Sequence, residues 1–113
     1  MAAPWKLVVR AASRVERERF DSLDAALASA RARVRELEPD ARREPATAFV
    51  REIAPADQVA ARLELRGPGR RVGGVDLRGD GSTAAWTGRI SKRVVEPERG
   101  EDAVDALARA LEA

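Results

Sequence analysis

Between Gln58 and Val95, apolar and polar residues alternate with a period of two, and no other feature limits the fold as much. Val59, Ala61, Leu63 and Leu65 alternate with Ala60, Arg62, Glu64 and Arg66. Val75 and Leu77 repeat the rhythm, and Trp86 and Ile90 repeat it again. Each run needs one buried and one wet face. Asp80-Gly81, inside Gly79-Asp80-Gly81-Ser82, marks a hairpin turn between the second and third runs. A three-stranded meander follows from this pattern.

The pattern also proposes a register. A two-residue turn at Asp80-Gly81 sets Leu77 opposite Ala84, Val75 opposite Trp86 and Gly73 opposite Gly88. A five-residue loop from Gly67 to Arg71, or a bulge at Gly73-Gly74, sets Leu63 opposite Val75 and Ala61 opposite Leu77. A four-residue loop would turn Val75 and Leu77 to the wet side, since a slip of one residue flips every side chain. The wet face then carries Arg62, Glu64, Arg66, Asp76, Arg78, Thr87 and Arg89, with Arg62 and Asp76 as a cross-strand ion pair. No aromatic falls on that face.

The rest of the chain supplies flanking elements. Trp5, Leu7 and Val9 alternate in a first strand. Val15 to Phe20 is strand-like but nearly all charged, as an edge strand should be. Asp21 or Ser22 caps a helix with Leu23, Leu27, Ala30, Val34 and Leu37 on one face, ending at Glu38 before Pro39. A turn-rich connector runs from Pro39 to Pro45. Thr47 to Ile53 reads as a strand with Phe49 and Ile53 on one face, and Pro55-Ala56-Asp57 turns into the meander. Glu101 and Asp102 favour a final helix start, and Val104, Leu107, Ala108 and Leu111 form its apolar stripe.

The expected fold is one α+β domain over residues 1–113, of order β-β-α-β-β-β-β-α. Its sheet is mostly antiparallel, with both helices on one face. Residues 15–30 laid on 95–110 match at Val15/Val95, Glu16/Glu96, Glu18/Glu98, Arg19/Arg99, Ala26/Ala106, Leu27/Leu107, Ala28/Ala108 and Ala30/Ala110. A duplicated strand–strand–helix unit would explain the match, and so would chance in an Ala/Glu/Arg-rich chain. Trp5 and Trp86 fall one residue out of that register.

The chain has no cysteine, histidine or tyrosine. Disulfides, thiolate nucleophiles, zinc–thiolate sites and the common histidine base are therefore excluded. The remaining carboxylates, Ser82, Ser91, Lys6 and Lys92 form no recognisable acid/base pair. No enzyme, catalytic residue, cofactor or metal is expected. The amino terminus turns charged too soon for a secretion signal, and no apolar run approaches a membrane span. A cytoplasmic location is the resulting expectation.

Charge is distributed unevenly. Residues 62–93 hold eight basic residues against three acidic ones, a net +5, while the remainder carries −3. The basic set is Arg62, Arg66, Arg70, Arg71, Arg78, Arg89, Lys92 and Arg93. It is the candidate nucleic-acid-binding surface, since arginines on a sheet face can contact phosphates. The competing reading is a solvated strand face.

Three local patterns point elsewhere. Gly67-Pro68-Gly69 and Gly73-Gly74 lack the Lys-Ser/Thr and the following helix of a phosphate loop. Asp76 and Asp80 are too few for a calcium loop. Arg78-Gly79-Asp80 spells an adhesion tripeptide in a chain without a secretion signal. Gly88 to Arg93 ahead of an Ala/Leu helix resembles the end of double-stranded-RNA-binding domains. There the basic cluster opens the final helix; here Val94 to Gly100 intervenes with Pro97, and nothing is carried over.

The functional expectation is a small non-catalytic interaction domain with a protein partner or itself, as a homodimer through an edge strand. The alternative is a nucleic-acid-binding protein using the basic sheet face.

Overall fold

The computed structural model describes residues 4–41, 46–48, 51–53 and 58–112. In chain order the elements are β1 (Trp5–Ala11), β2 (Arg14–Phe20), α1 (Leu23–Ala41), β3 (Ala46–Ala48), β4 (Arg51–Ile53), β5 (Val59–Arg66), β6 (Val72–Arg78), β7 (Thr83–Thr87), β8 (Arg93–Val95) and α2 (Ala103–Glu112). Six strands form one antiparallel sheet in the order β2-β1-β5-β6-β7-β8. The α+β class and the antiparallel sheet agree with the sequence.

Both helices cover the same face. Leu7, Val9, Leu63, Leu65, Val75 and Ala85 meet Ala26, Leu27 and Ala30 of α1 and Val104, Leu107 and Leu111 of α2 in one buried cluster. Small residues let the helices sit close to the sheet. A side chain at Gly73 would come within 2.7 Å of Leu107, so α2 packs directly against that bare backbone. Trp5 fills the space over Gly67 on this face, where any side chain on the glycine would collide with the indole.

The helix ends are specified locally. Ser22 caps α1 by accepting from the Ala25 amide at 3.1 Å. The Asp105 amide donates to Asp102 Oδ1 at 2.7 Å and the Asp102 amide to Asp105 Oδ2 at 3.1 Å, a reciprocal cap on α2. Arg31 of α1 bridges this cap, with Nη1 3.0 Å from Asp102 and Nη2 on Asp105. The two helices are thereby tied at the start of α2.

The five-residue loop from Gly67 to Arg71 forms, closed by the Gly67 amide donating to the Arg71 carbonyl at 2.8 Å. Leu63 pairs with Val75, Ala61 with Leu77, and Arg62 with Asp76, as the alternation requires.

The second hairpin differs. Leu77 pairs with Thr83, Val75 with Ala85 and Gly74 with Trp86. The connection is a three-residue loop, Gly79–Gly81, in which the Arg78 amide donates to the Ser82 carbonyl at 2.8 Å. Asp80 Oδ1 accepts from the Ser82 amide at 2.9 Å, and Gly81 takes φ +88°, the left-handed position of such a loop. The extra loop residue slips the register by one, so Trp86 moves to the face away from the helices and Ala85 takes the core position. Thr87 correspondingly lies on the helix face opposite Gly73, and Gly73 does not face Gly88.

Three further differences concern element ends. α1 continues through Pro39 to Ala41 and does not stop at Glu38. The stretch expected as one strand over Thr47 to Ile53 holds two strands, β3 and β4, paired as their own hairpin. Phe49, Pro45, Pro55-Ala56-Asp57 and the side chain of Ile53 lie outside the described residues. Ile90 belongs to a loop between β7 and β8, not to a strand.

Candidate functional site

The face away from the helices is organised in cross-strand rows. One row runs Val15–Arg10–Arg62–Asp76–Ala84. The next runs Arg17–Val8–Glu64–Gly74–Trp86–Val94. The third runs Arg19–Lys6–Arg66–Val72, and the Gly88 amide extends it by donating to the Val72 carbonyl at 3.0 Å.

The third row sets three cations directly side by side, about 4.8 Å between neighbouring strands. Like charges directly opposite one another destabilise a sheet by a few tenths of a kcal/mol to about 1 kcal/mol per pair. Here Arg19 faces Lys6 and Lys6 faces Arg66. Glu64, 2.6 Å from Arg66 Nε, neutralises one member of the row.

Two loops add to this end of the sheet. The Gly67–Arg71 loop carries exposed Arg70 and Arg71. Arg70 has φ +63°, unusual for a residue with a side chain, and follows Gly69 at φ +69°. The loop after Gly88 carries exposed Arg89, Ile90 and Lys92. Lys6, Arg19, Arg66, Arg70, Arg71, Arg89 and Lys92 therefore form a basic rim along one end of the sheet.

The middle of the face is occupied by an internal cluster. Arg62 Nε and Nη2 donate to the two carboxylate oxygens of Asp76 at 2.7 and 2.9 Å. Trp86 Nε1–H donates to Asp76 Oδ1 at 3.0 Å. Asp76 is 6% exposed and Trp86 3% exposed. The Trp86 ring lies over Gly74, where a side chain would collide with it. Arg62 sits 5.5 Å and Lys92 4.9 Å from the ring centroid, both in cation–π range. The Asp76 hydrogen bond is the main cause raising the Arg62 pKa above its already high ordinary value.

The eight basic residues singled out in the sequence thus separate. Arg66, Arg70, Arg71, Arg89 and Lys92 converge on the rim. Arg93 is exposed near it but, opposite Thr87, shares the helix side of the sheet. Arg62 is committed to Asp76 and Trp86. Arg78 lies at the other end of the sheet, opposite Val59. Lys6 and Arg19 were missed. Both sit at the wet parity of their strands, but only the neighbour order β2-β1-β5 brings them to Arg66. The expected absence of an aromatic on this face is corrected by Trp86, which the one-residue slip delivers there.

Elsewhere, a groove of about 490 Å³ between β2 and α1 is lined by Leu7, Val9, Glu16, Arg17, Glu18 and Arg33. Its glutamates are tied to α1, Glu16 to Arg33 and Glu18 to Ser29 at 3.5 Å. Among the described residues no group of three acidic side chains is placed to hold a metal ion. Among them also, no helix is long and apolar enough to cross a membrane. Compared with known proteins, the chain matches no family model, and no curated protein or solved structure matches it significantly.

Proposed function

We propose that the protein is a non-catalytic interaction domain whose basic rim binds the phosphate backbone of a nucleic acid. The observation that carries this reading is the directly opposed cation row Arg19–Lys6–Arg66, continued by Arg70, Arg71, Arg89 and Lys92. Such a row costs folding stability, and neighbouring phosphates would convert the repulsion into attraction. Backbone contacts carry no sequence information, so binding should be tolerant of sequence.

Fluorescence anisotropy against a labelled duplex at rising salt tests the reading. With about five phosphates engaged, log affinity should fall against log salt with a slope of about −4.5, roughly 0.9 per phosphate. Lys6→Glu should weaken binding at every salt concentration and flatten the slope by about 1. A flat salt titration, or an unaltered affinity in Lys6→Glu, would show that the rim is ordinary solvent surface.

A further inference from the structure

We infer that the loop from Gly88 to Lys92 is a wedge that inserts Ile90 between base pairs of duplex DNA. This rests on the rim as a phosphate-binding surface and adds its substrate class, a duplex opened and bent at one step.

Ile90 is 99% exposed, against 41% for Val15, 45% for Val59 and 65% for Val94. It sits on a loop pinned on both sides. Gly88 takes φ +111° and donates to Val72, and a side chain there would collide with the Ser91 carbonyl. Lys92 is held over the Trp86 ring at 4.9 Å. Ile90 thus projects from a loop anchored at Gly88 and at Lys92. Its β-branched side chain has little rotamer freedom to lose on insertion.

The neighbours fit the same task. Arg89 and Lys92 flank the tip, where phosphates on either side of a groove would lie. The cation row extends from the loop to Arg19 across four strand spacings, about 19 Å. At 3.4 Å per base pair, this spans between five and six steps of a duplex lying along the rim. Apolar side chains, isoleucine among them, are the usual wedges at base steps, while single strands are held by exposed aromatic platforms. Both tryptophans are buried, Trp5 at 5% and Trp86 at 3%. Among the described residues no exposed aromatic is present to stack a single strand. An anionic bilayer would also attract these cations. However, beyond Arg89 and Lys92 they form a line leading away from Ile90, and one side chain is a shallow anchor.

The test uses the full chain and a duplex carrying 2-aminopurine at its centre, end-labelled for energy transfer. Saturating wild-type protein should raise 2-aminopurine emission and shorten the end-to-end distance. Ile90→Ala should lose both signals while its affinity stays within about tenfold and its salt slope is kept, because insertion is offset by the cost of unstacking. No emission change in the wild-type complex, or a change that survives Ile90→Ala, overturns the wedge and leaves the rim standing. Absence of duplex binding overturns both. Ile90-dependent binding to phosphatidylserine vesicles without a duplex response overturns the wedge and assigns the loop to lipid.

Discussion

Asp76 shows how one residue can decide the use of its neighbours. A carboxylate 6% exposed needs partners, and it has three donors, two from Arg62 and one from Trp86. That commitment removes Arg62 from any external site and fixes the indole over Gly74. Asp76→Ala would leave the Trp86 N–H and a part-buried guanidinium without their acceptor. The expected cost is about 2–3 kcal/mol, with the Arg62 share reduced because a third of that side chain is exposed. Chemical denaturation checks the loss of stability. Trp86 emission in the folded state should shift as the ring loosens. The Arg62–Asp76 pair was legible in the sequence because it depends only on the length of the loop between β5 and β6. The Trp86 hydrogen bond was not, because it depends on a second loop where Asp80 and Gly81 chose a longer turn.

At the scale of elements, β2 sorts its charges by face. Glu16 and Glu18 turn toward α1, while Arg17 and Arg19 turn away. In the register that pairs its full length with a second copy, Arg17 would meet Arg17 and Glu16 would meet Glu18. This edge therefore opposes the homodimer expected from the sequence. β8 is the other edge, only three residues long and followed by Pro97 two residues on. The internal similarity lays β2–α1 on β8–α2, at opposite edges of the sheet with both helices on one face. In the same offset Trp5 falls on Ala85, a core position, and Trp86 falls one residue later on the opposite face.

The start of α2 also fixes a response to acid. The Asp105 pKa lies below the usual carboxylate range because it accepts from the Asp102 amide and then from Arg31. The Glu101 pKa is lowered first by Arg109 and then by the Glu98 amide. A lowered folded pKa contributes stability above the unfolded value near 4, and that contribution is lost as pH falls through the folded value. Stability measured by thermal melts should therefore drop below about pH 4. Asp105→Asn should show a smaller drop over the same range. An equal drop in both would mean that these carboxylates do not govern the acid transition.

For the whole molecule, net charge says little, since +2 over 113 residues is near neutral. What matters is that strand order collects Lys6, Arg19 and Arg66 into one row. Lys6→Glu makes that row alternate in sign. The folded state should gain stability, from a few tenths of a kcal/mol to about 1 kcal/mol per relieved pair, while duplex affinity falls. A thermal melt beside the binding titration reads both quantities. A destabilised variant would mean that the row is not under repulsion.

The sequence by itself determined the local features: the alternation of β1, β5 and β6, which helix faces are apolar, a cap at Asp21 or Ser22, and how Leu63, Val75, Arg62 and Asp76 face one another. Those follow from side-chain period and short loops, both properties of neighbours in the chain. The tertiary structure alone decided which face receives Trp86 and which cations meet at the rim. The first turned on a single residue in the loop before β7, where period two magnifies a small error into a change of face. The second turned on β1 pairing with β5, a contact between segments some fifty residues apart that no local pattern encodes.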